Sequence, residues 1–317
     1  GGVVVMSAAP LRWGVLGGSS NIYRKSLLPA FTAAGQVVVA EPSRAGESLA
    51  PYDEMLARDD VDAVYNPLPN HLHAEWTHRA LDAGKHVLCE KPLTLSPADS
   101  AELFDHAEAA GRTLLEAYMW PHHPRAQRLL ALARGNELGW LQHGTGSFSW
   151  PMDMDSGDHR LDLRGAGALF DVGIYCLAPF LLMARRDAIA VGANAVRNRA
   201  GVDISMTGWV DWGAGFGSSF NVSFDAPPHR SMSLVASEAV VTLPGWHAPG
   251  PLEPSELIVE RRNGDVEHIA CDGGDAYTHL ARHFADVVAG TAEPVFGRVE
   301  SLRMADVLQR LHIASAH

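Results

Sequence analysis

The sequence predicts an α/β chain in two parts: a doubly wound parallel sheet, then an α+β domain on an open, mostly antiparallel sheet. Three observations predict it. Over residues 10–118, short apolar runs alternate with stretches of helical spacing, which is the text of strand–helix–strand units. Over residues 119–317 the alternation gives way to a helix, a nearly all-apolar segment and several runs with partial two-residue periodicity, as in a sheet with one covered face. The length, 317 residues, suits two domains of roughly 100–200 residues each.

In the first part the strands are Leu11–Leu16, Gln36–Ala40, Val61–Asn66, His86–Cys89 and Arg112–Met119. Helical text runs between them: through Ala34, over Tyr52–Arg58, over His73–Gly84 with a terminating glycine, and over Ser96–Gly111. The last of these opens on a serine cap with proline at the first helical position. In the second part a helix over Pro124–Arg134 leads to a strand at Leu141–Trp150. Strand-like runs follow at Ala188–Arg197, Ile204–Asp211, Phe216–Asp225, Arg230–Val235, Ala239–Leu243 and Glu256–Val259. Helices at Ala276–Ala289 and Val299–Ala314 close the chain. Ala166–Ala184 has nearly the length of a membrane span. It contains Asp171, Gly173 and Pro179, and the reading here is a helix buried in a large core.

Composition narrows the function. The net charge of −12 repels nucleic acid and anionic lipid, so neither is expected as a partner. Cys89, Cys176 and Cys271 are far apart and form no CxxC pair, which suits free thiols in a reducing setting. The N-terminus lacks the basic region and long apolar core of a signal peptide. Met6 reads as the natural start, and a cytoplasmic protein is expected.

"GVLGGSSNIYRK", Gly14–Lys25, follows the first strand. Glycines and small residues there let a backbone turn tightly against a pyrophosphate at a helix N-terminus. Set on G-x-G-x-x-G/A, the chain offers Gly17, Ser19 and Ile22. Ile22 is too large for the third place, so the helix starts differently or carries an inserted residue. At the end of the second strand Glu41 stands where an acid would hold the ribose hydroxyls of NAD, while Ser43 and Arg44 suit a 2′-phosphate. From residues alone both remain open.

Ligands of an open α/β sheet bind beyond the carboxyl ends of its strands. Asn66 to His71, Glu90-Lys91-Pro92 and Glu116 to Tyr118 each follow a strand at that rim. Lys91 is either a surface cation or a group aimed at a ligand. Asp171 and Tyr175, four apart, share a helix face. Asp171 is the only charge between Arg164 and Arg185, so it borders a polar cavity or has an ion-pair partner such as Arg160. Trp120, His122, Trp150, Met152, Asp158 and Arg160 are the residues that would suit a polyol pocket.

Together "VYNPLPNHLHAEWTHRALDAGKHVLCEKPLTLS", "EAYMWPHHP", "HRLDLRGAGALFDVGIYC" and the glycine turn resemble the Gfo/Idh/MocA oxidoreductases, relatives of glucose–fructose oxidoreductase, inositol dehydrogenase and dihydrodiol dehydrogenase. The resemblance spans Leu11 to Leu182 and continues more loosely to the C-terminus. It implies a Rossmann domain and hydride transfer between a nicotinamide and a hydroxyl or carbonyl carbon of a sugar, cyclitol or diol. Lys91 matches the lysine of the E-K-P motif and Asp171 the acid of the second-domain helix. Tyr175 stands where inositol dehydrogenase-like members carry histidine, as in dihydrodiol dehydrogenase-like members.

Tyrosine is a weak acid, with a pKa of about 10, and a nearby ammonium favours its phenolate. Tyr175 is therefore expected to exchange the proton with help from Lys91, and Asp171 to orient substrate or Lys91. The cofactor is expected against Gly17, Gly18, Ser19, Ser20, Asn21, Ser43, Arg44, Pro67, Asn70, His71, Glu90 and Lys91. Ser-Arg after the second strand accompanies NADP in the family, so NADP is expected, with NAD as the alternative. The segment from Ala45 to Pro51 is shorter than in relatives, which would open the adenine side.

Three rivals differ in class or reaction. Some relatives hydrolyse glycosides by transient oxidation with bound NAD. A silent cofactor-binding regulator is a second possibility. A metal-dependent hydrolase would use His71, His73, Glu75, His78, His122 and His123, but their spacing departs from H-x-H-x-D-H, and no metal is expected. The second-domain sheet suggests a homodimer or a dimer of dimers. Val210, Trp212, Phe216, Phe220, Val222 and Phe224 fit such an interface and fit a monomer core equally.

Overall fold

The structure is a computed structural model and describes residues 9–44, 48–245 and 255–316. The chain forms two compact units, one made of residues 1–93, 98–119 and 276–298, the other of 94–97, 120–275 and 299–317.

The first unit carries β1 (Arg12–Val15), α1 (Leu28–Ala33), β2 (Val37–Ala40), α2 (Ala50–Leu56), β3 (Ala63–Asn66), α3 (His73–Asp82), β4 (His86–Cys89), α4 (Pro97–Ala109) and β5 (Leu114–Glu116). Its five strands are all parallel, in the order β2-β1-β3-β4-β5. Strands β3 and β5 are fully buried, and β4 is buried but for its first residue, as expected where helices cover both faces. From β2 the chain crosses back over β1 to β3, so the glycine turn after β1 lies at the topological switch point. β2 is one of the two edge strands, and Val37 on it is 47% exposed. Of the short segment after Arg44, residues 45–47 lie outside the described residues.

The sequence reading ended this unit at residue 118. The helix Ala276–Val288 nevertheless belongs to it. Its apolar face explains why: Leu280, Ala281 and Phe284 are buried. Phe284 lies 5.0 Å from Trp13, which stacks on Phe31 at 4.5 Å. Arg282 donates to the Ala33 carbonyl at the end of α1. Periodicity identified the helix but could not say which sheet it covers.

The second unit carries α5 (Pro124–Arg134), β6 (Leu141–Ser149), α6 (Ile174–Ala184), β7 (Ala190–Arg197), β8 (Asp203–Gly213), β9 (Phe216–Ser223), β10 (His229–Ala236), β11 (Ala239–Leu243), β12 (Glu256–Arg261) and β13 (Val266–Ala270). The helix Ala276–Val288 is α7, and α8 is Arg298–Ala314. Eight strands form one sheet in the order β13-β12-β11-β10-β6-β9-β8-β7. All neighbours are antiparallel except β6 and β9. β13 escaped the sequence reading because it is an edge strand whose residues are nearly all exposed, which leaves no apolar alternation to see.

One face of this sheet is covered by α6. A Cβ on Gly144 would meet the Phe180 ring at 2.3 Å, and one on Gly146 would meet Cys176 Cα at 2.9 Å. The helix can approach β6 only because those two positions lack side chains. Val210, Trp212, Phe216, Phe220, Val222 and Phe224 are all buried, so these residues form the unit's own core rather than an exposed interface. The other face carries small and polar residues such as Thr145, Ser147, Ser219 and Asn221, with Trp209 49% exposed among them. The apolar segment of the sequence is α6 with its preceding turn, and Ile174 to Met183 are all buried. Among the described residues no helix is long and apolar enough to cross a membrane.

Phe284 gives the test of this architecture. Phe284→Ala is expected to cost about 3–5 kcal/mol of unfolding free energy, read by urea denaturation. A loss below about 1 kcal/mol would detach α7 from the core of the first unit.

Candidate active site

In the first unit the glycine turn leaves a bare stretch of backbone at the switch point. Gly17 sits at φ 80°, a left-handed conformation that favours glycine. A Cβ on Gly18 would run into the Glu41 carbonyl at 2.2 Å, and the Gly18 N–H donates to Pro42 O at 2.9 Å. Ser19 and Asn21 are exposed, and no side chain caps the π turn that follows. Backbone this close to the end of β2, opening on an uncapped helical segment, suits an anionic dinucleotide. Tyr23–Leu27 is wound as a π turn before α1 begins. A π turn takes one residue more than an α turn, and here that residue falls after Ile22.

At the end of β2, Glu41 accepts from the Tyr23 hydroxyl and lies 3.0 Å from Arg24. Ser43 and Arg44 are exposed. Burial pushes the Tyr52 phenol up, against the pull of the Arg44 guanidinium hydrogen-bonded beside it.

The loops after β3, β4 and β5 are tied together beneath Lys91. Glu90 is buried; its Oε1 accepts from the Tyr65 hydroxyl at 2.8 Å and its Oε2 from the Lys91 N–H at 3.2 Å. The Lys91–Pro92 peptide is cis. Glu116, also buried, accepts from the Leu93 N–H at 3.0 Å. Asn66 Oδ1 accepts from the Leu68 N–H at 3.3 Å, which shapes the Pro67–Asn70 loop. His73 joins that loop to the lysine turn, with Nδ1 2.8 Å from Pro92 O and Nε2 2.6 Å from Leu68 O. Both neighbours are carbonyls, and a neutral ring can donate to only one. A second proton would satisfy both but would bury a charge. Burial prevails, and with the Lys91 ammonium adding to the effect the His73 pKa falls to about 4.

In the second unit a π turn, Leu169–Gly173, carries Asp171 and runs into α6, which begins with Ile174 and Tyr175. The turn is anchored at its start by Asp203 of β8, whose Oδ2 accepts from the Leu169 N–H at 2.7 Å. Tyr175 is buried against Phe148 of β6, rings stacked at 5.5 Å. Arg230 lies over the same Phe148 ring at 4.9 Å. Asp171 lies 3.7 Å from Arg160, the partner named from sequence. Arg160 is held chiefly by Asp158, which takes Nε at 2.9 Å and Nη2 at 2.7 Å. That pair holds the Asp158 carboxyl down at about 2. Arg160 also sits 4.9 Å over the Trp150 ring.

In the second unit Arg160 thus links Asp158, Trp150 and Asp171, with Tyr175 one turn on at the start of α6. Trp120 and His122 are buried in a 3-10 turn ahead of α5. Sequence reasoning missed three residues. Asp203 left no signal, because a carboxylate opening a strand looks like any turn acid. Phe148 was readable from the alternation of β6, which puts it on the face of Gly144 and Gly146. Arg230 follows from its pairing with Phe148 across β10, which no local pattern reveals. Among the described residues no group of three or more histidine, cysteine or carboxylate side chains is arranged to hold a metal. His78 pairs with His106 at 2.7 Å, and His123 accepts from the Arg125 N–H.

Comparison with known proteins gives two family matches. Residues 24–118 match the oxidoreductase family with an NAD-binding Rossmann fold, and residues 126–242 match the GFO/IDH/MocA C-terminal domain. The chain is 33% identical to D-xylose 1-dehydrogenase (NADP(+)) 2 of Haloferax volcanii, over 95% of this chain and 96% of that one. It is 35% identical to dTDP-3,4-didehydro-2,6-dideoxy-alpha-D-glucose 3-reductase of Streptomyces violaceoruber, over 88% and 85%. Among solved structures it resembles KijD10, a 3-ketoreductase from Actinomadura kijaniata in complex with NADP and TDP-benzene. The TM-score is 0.86 at 28% identity, covering 96% of this chain and 98% of that one.

The low pKa of His73 makes a stability prediction. The unfolded chain binds a proton near pH 6.5 and the folded chain only near 4, so stability falls as pH drops through that window. The contribution is on the order of 3 kcal/mol. His73→Gln is expected to flatten that part of the stability–pH curve. An unchanged curve would show that His73 titrates normally.

Proposed function

Because the chain belongs to the Gfo/Idh/MocA family of oxidoreductases, we propose that it moves hydride between NADP and a hydroxyl or carbonyl carbon of a sugar, cyclitol or diol. The observation that carries this reading is the Lys91 turn, fixed by buried groups at the carboxyl rim of a parallel sheet whose switch point bears a bare glycine turn. The names of the relatives support the substrate class and the cofactor: one is an NADP-dependent xylose dehydrogenase, another reduces a nucleotide-linked keto sugar.

The first unit is the dinucleotide-binding part. Gly17, Gly18, Ser19, Ser20 and Asn21 would hold the pyrophosphate, and Ser43 with Arg44 the 2′-phosphate. Pro67, Asn70, His71, Glu90 and Lys91 would line the nicotinamide end. When bound, the cofactor supplies or accepts the hydride. The second unit binds substrate, with Trp150, Arg160, Trp120 and His122 as the groups that would meet its hydroxyls.

Tyr175 gives a proton to the substrate oxygen as a carbonyl is reduced and takes it back as an alcohol is oxidised. The Lys91 ammonium favours the phenolate and stabilises negative charge developing on that oxygen. Asp171, braced by Arg160, orients the substrate hydroxyl. Phe148 fixes the phenol by stacking, which leaves its hydroxyl as the group that acts. The open sheet face around Trp209 would join two copies in a dimer. Free, buried Cys89 and Cys176 suit a cytoplasmic setting.

Tyr175→Phe keeps the stacked ring and removes the proton. Steady-state turnover is expected to fall by about 100-fold or more, while NADP affinity, read by calorimetry, stays within about twofold. Turnover within a few-fold of the parent would remove Tyr175 as the acid. Lys91→Met is expected to lower turnover and NADP affinity together, because Lys91 serves both.

A further inference from the structure

The end of the second strand is where a dinucleotide-binding fold chooses between its two cofactors. A carboxylate there accepts the ribose hydroxyls and repels a 2′-phosphate. Glu41 occupies that position, yet Ser43 and Arg44 beside it suit the phosphate. The arrangement around Glu41 resolves the conflict. Its Oε2 accepts from the Tyr23 hydroxyl, and its Oε1 is 3.0 Å from Arg24 Nη2. Both partners belong to the π turn after the glycine turn. That winding puts Tyr23 inside, fully buried, and leaves Arg24 exposed beside the carboxylate, 5.3 Å from the Tyr23 ring. Burial and the bond to Glu41 both push the Tyr23 phenol up, so it remains a donor throughout the working range. Each oxygen of the carboxylate already meets one donor, and the charge that would repel a phosphate is paired. With Glu41 and Arg24 cancelling, Arg44 leaves this corner with a net positive charge.

Resting on the reading of this unit as a nicotinamide-dinucleotide site, we propose that Tyr23 and Arg24 disarm Glu41 and thereby make the site selective for the 2′-phosphorylated cofactor. Arg24 is then a specificity-determining residue that works by neutralising an acid of the opposite preference. This role differs from gripping the phosphate directly, and the two roles separate by experiment. The Arg24–Glu41 pair is about half exposed, and pairs of that kind contribute little to folding. Breaking it should therefore change ligand choice and leave the protein folded.

The test is calorimetric titration with 2′,5′-ADP and 5′-AMP, which report on the adenine end without turnover. The proteins are the parent, Arg24→Ala, Glu41→Gln and the double variant, each with its melting temperature. The parent should prefer 2′,5′-ADP. Arg24→Ala should weaken 2′,5′-ADP by about tenfold or more, as expected when the Glu41 charge is unmasked beside the phosphate, and change 5′-AMP little. Adding Glu41→Gln to Arg24→Ala should recover most of that loss, because the exposed carboxylate is what repels the phosphate. An unchanged 2′,5′-ADP affinity in Arg24→Ala would overturn the proposal. So would failure of Glu41→Gln to restore binding, since Arg24 would then act on the phosphate itself. If the parent binds neither nucleotide while remaining folded, the dinucleotide reading fails and takes this inference with it. If the parent binds both equally, only the selectivity device fails.

Discussion

A carboxylate buried at the end of β4 organises the candidate residues of the first unit. Glu90 is 8% exposed, and an ionised group so placed costs several kcal/mol unless its lone pairs are satisfied. Here the Tyr65 hydroxyl and the Lys91 backbone N–H supply donors. The requirement works in both directions. The fold must bring Tyr65 of β3 against Glu90, and the chain after Glu90 must turn so that its amide faces back. Glu116 holds the Leu93 amide, and His73 faces the Pro92 carbonyl. With three consecutive residues after Glu90 fixed through their backbone, the Lys91 side chain leaves from a set position. A group that must meet a substrate oxygen to within a fraction of an ångström needs such a base.

The second unit reaches the same end by other means. Glycines on β6 let α6 lie close to the sheet, Asp203 fixes where its leading turn begins, and Phe148 holds the Tyr175 ring. Both candidate segments are introduced by a π turn, Tyr23–Leu27 in one unit and Leu169–Gly173 in the other. Single π turns inside helices are frequent at functional sites because the extra residue re-aims side chains without ending the helix. In the first unit it carries Tyr23 and Arg24 to Glu41. In the second it carries Asp171 ahead of Tyr175.

Much of this was legible in the sequence, and the reasons differ by feature. The alternation of buried strands and capped helices gave the parallel sheet, because strands covered on both faces are short apolar runs. The partial two-residue periodicity gave the larger sheet, but it missed β13, whose residues face water. Rim positions after β3, β4 and β5 were found from fold topology alone. Assigning α7 to the first unit depends on which surface Phe284 covers, and that is a tertiary fact. Glu41 was ambiguous for the same reason: its role turns on Tyr23 and Arg24, which reach it only through the π turn. Val210, Trp212 and their neighbours fitted core and interface alike until the placement of α6 showed which face is covered.

The chemistry proposed for this chain is net redox on a sugar-like substrate. The most direct measurement follows the near-ultraviolet absorbance of reduced nicotinamide as the protein meets a panel of aldoses, keto sugars, cyclitols and diols with NADP or NADPH. A sustained change is expected with at least one of these substrates, matched mole for mole by substrate oxidised or reduced. A protein that binds the cofactor but releases sugar from glycosides with no net change in absorbance would contradict it.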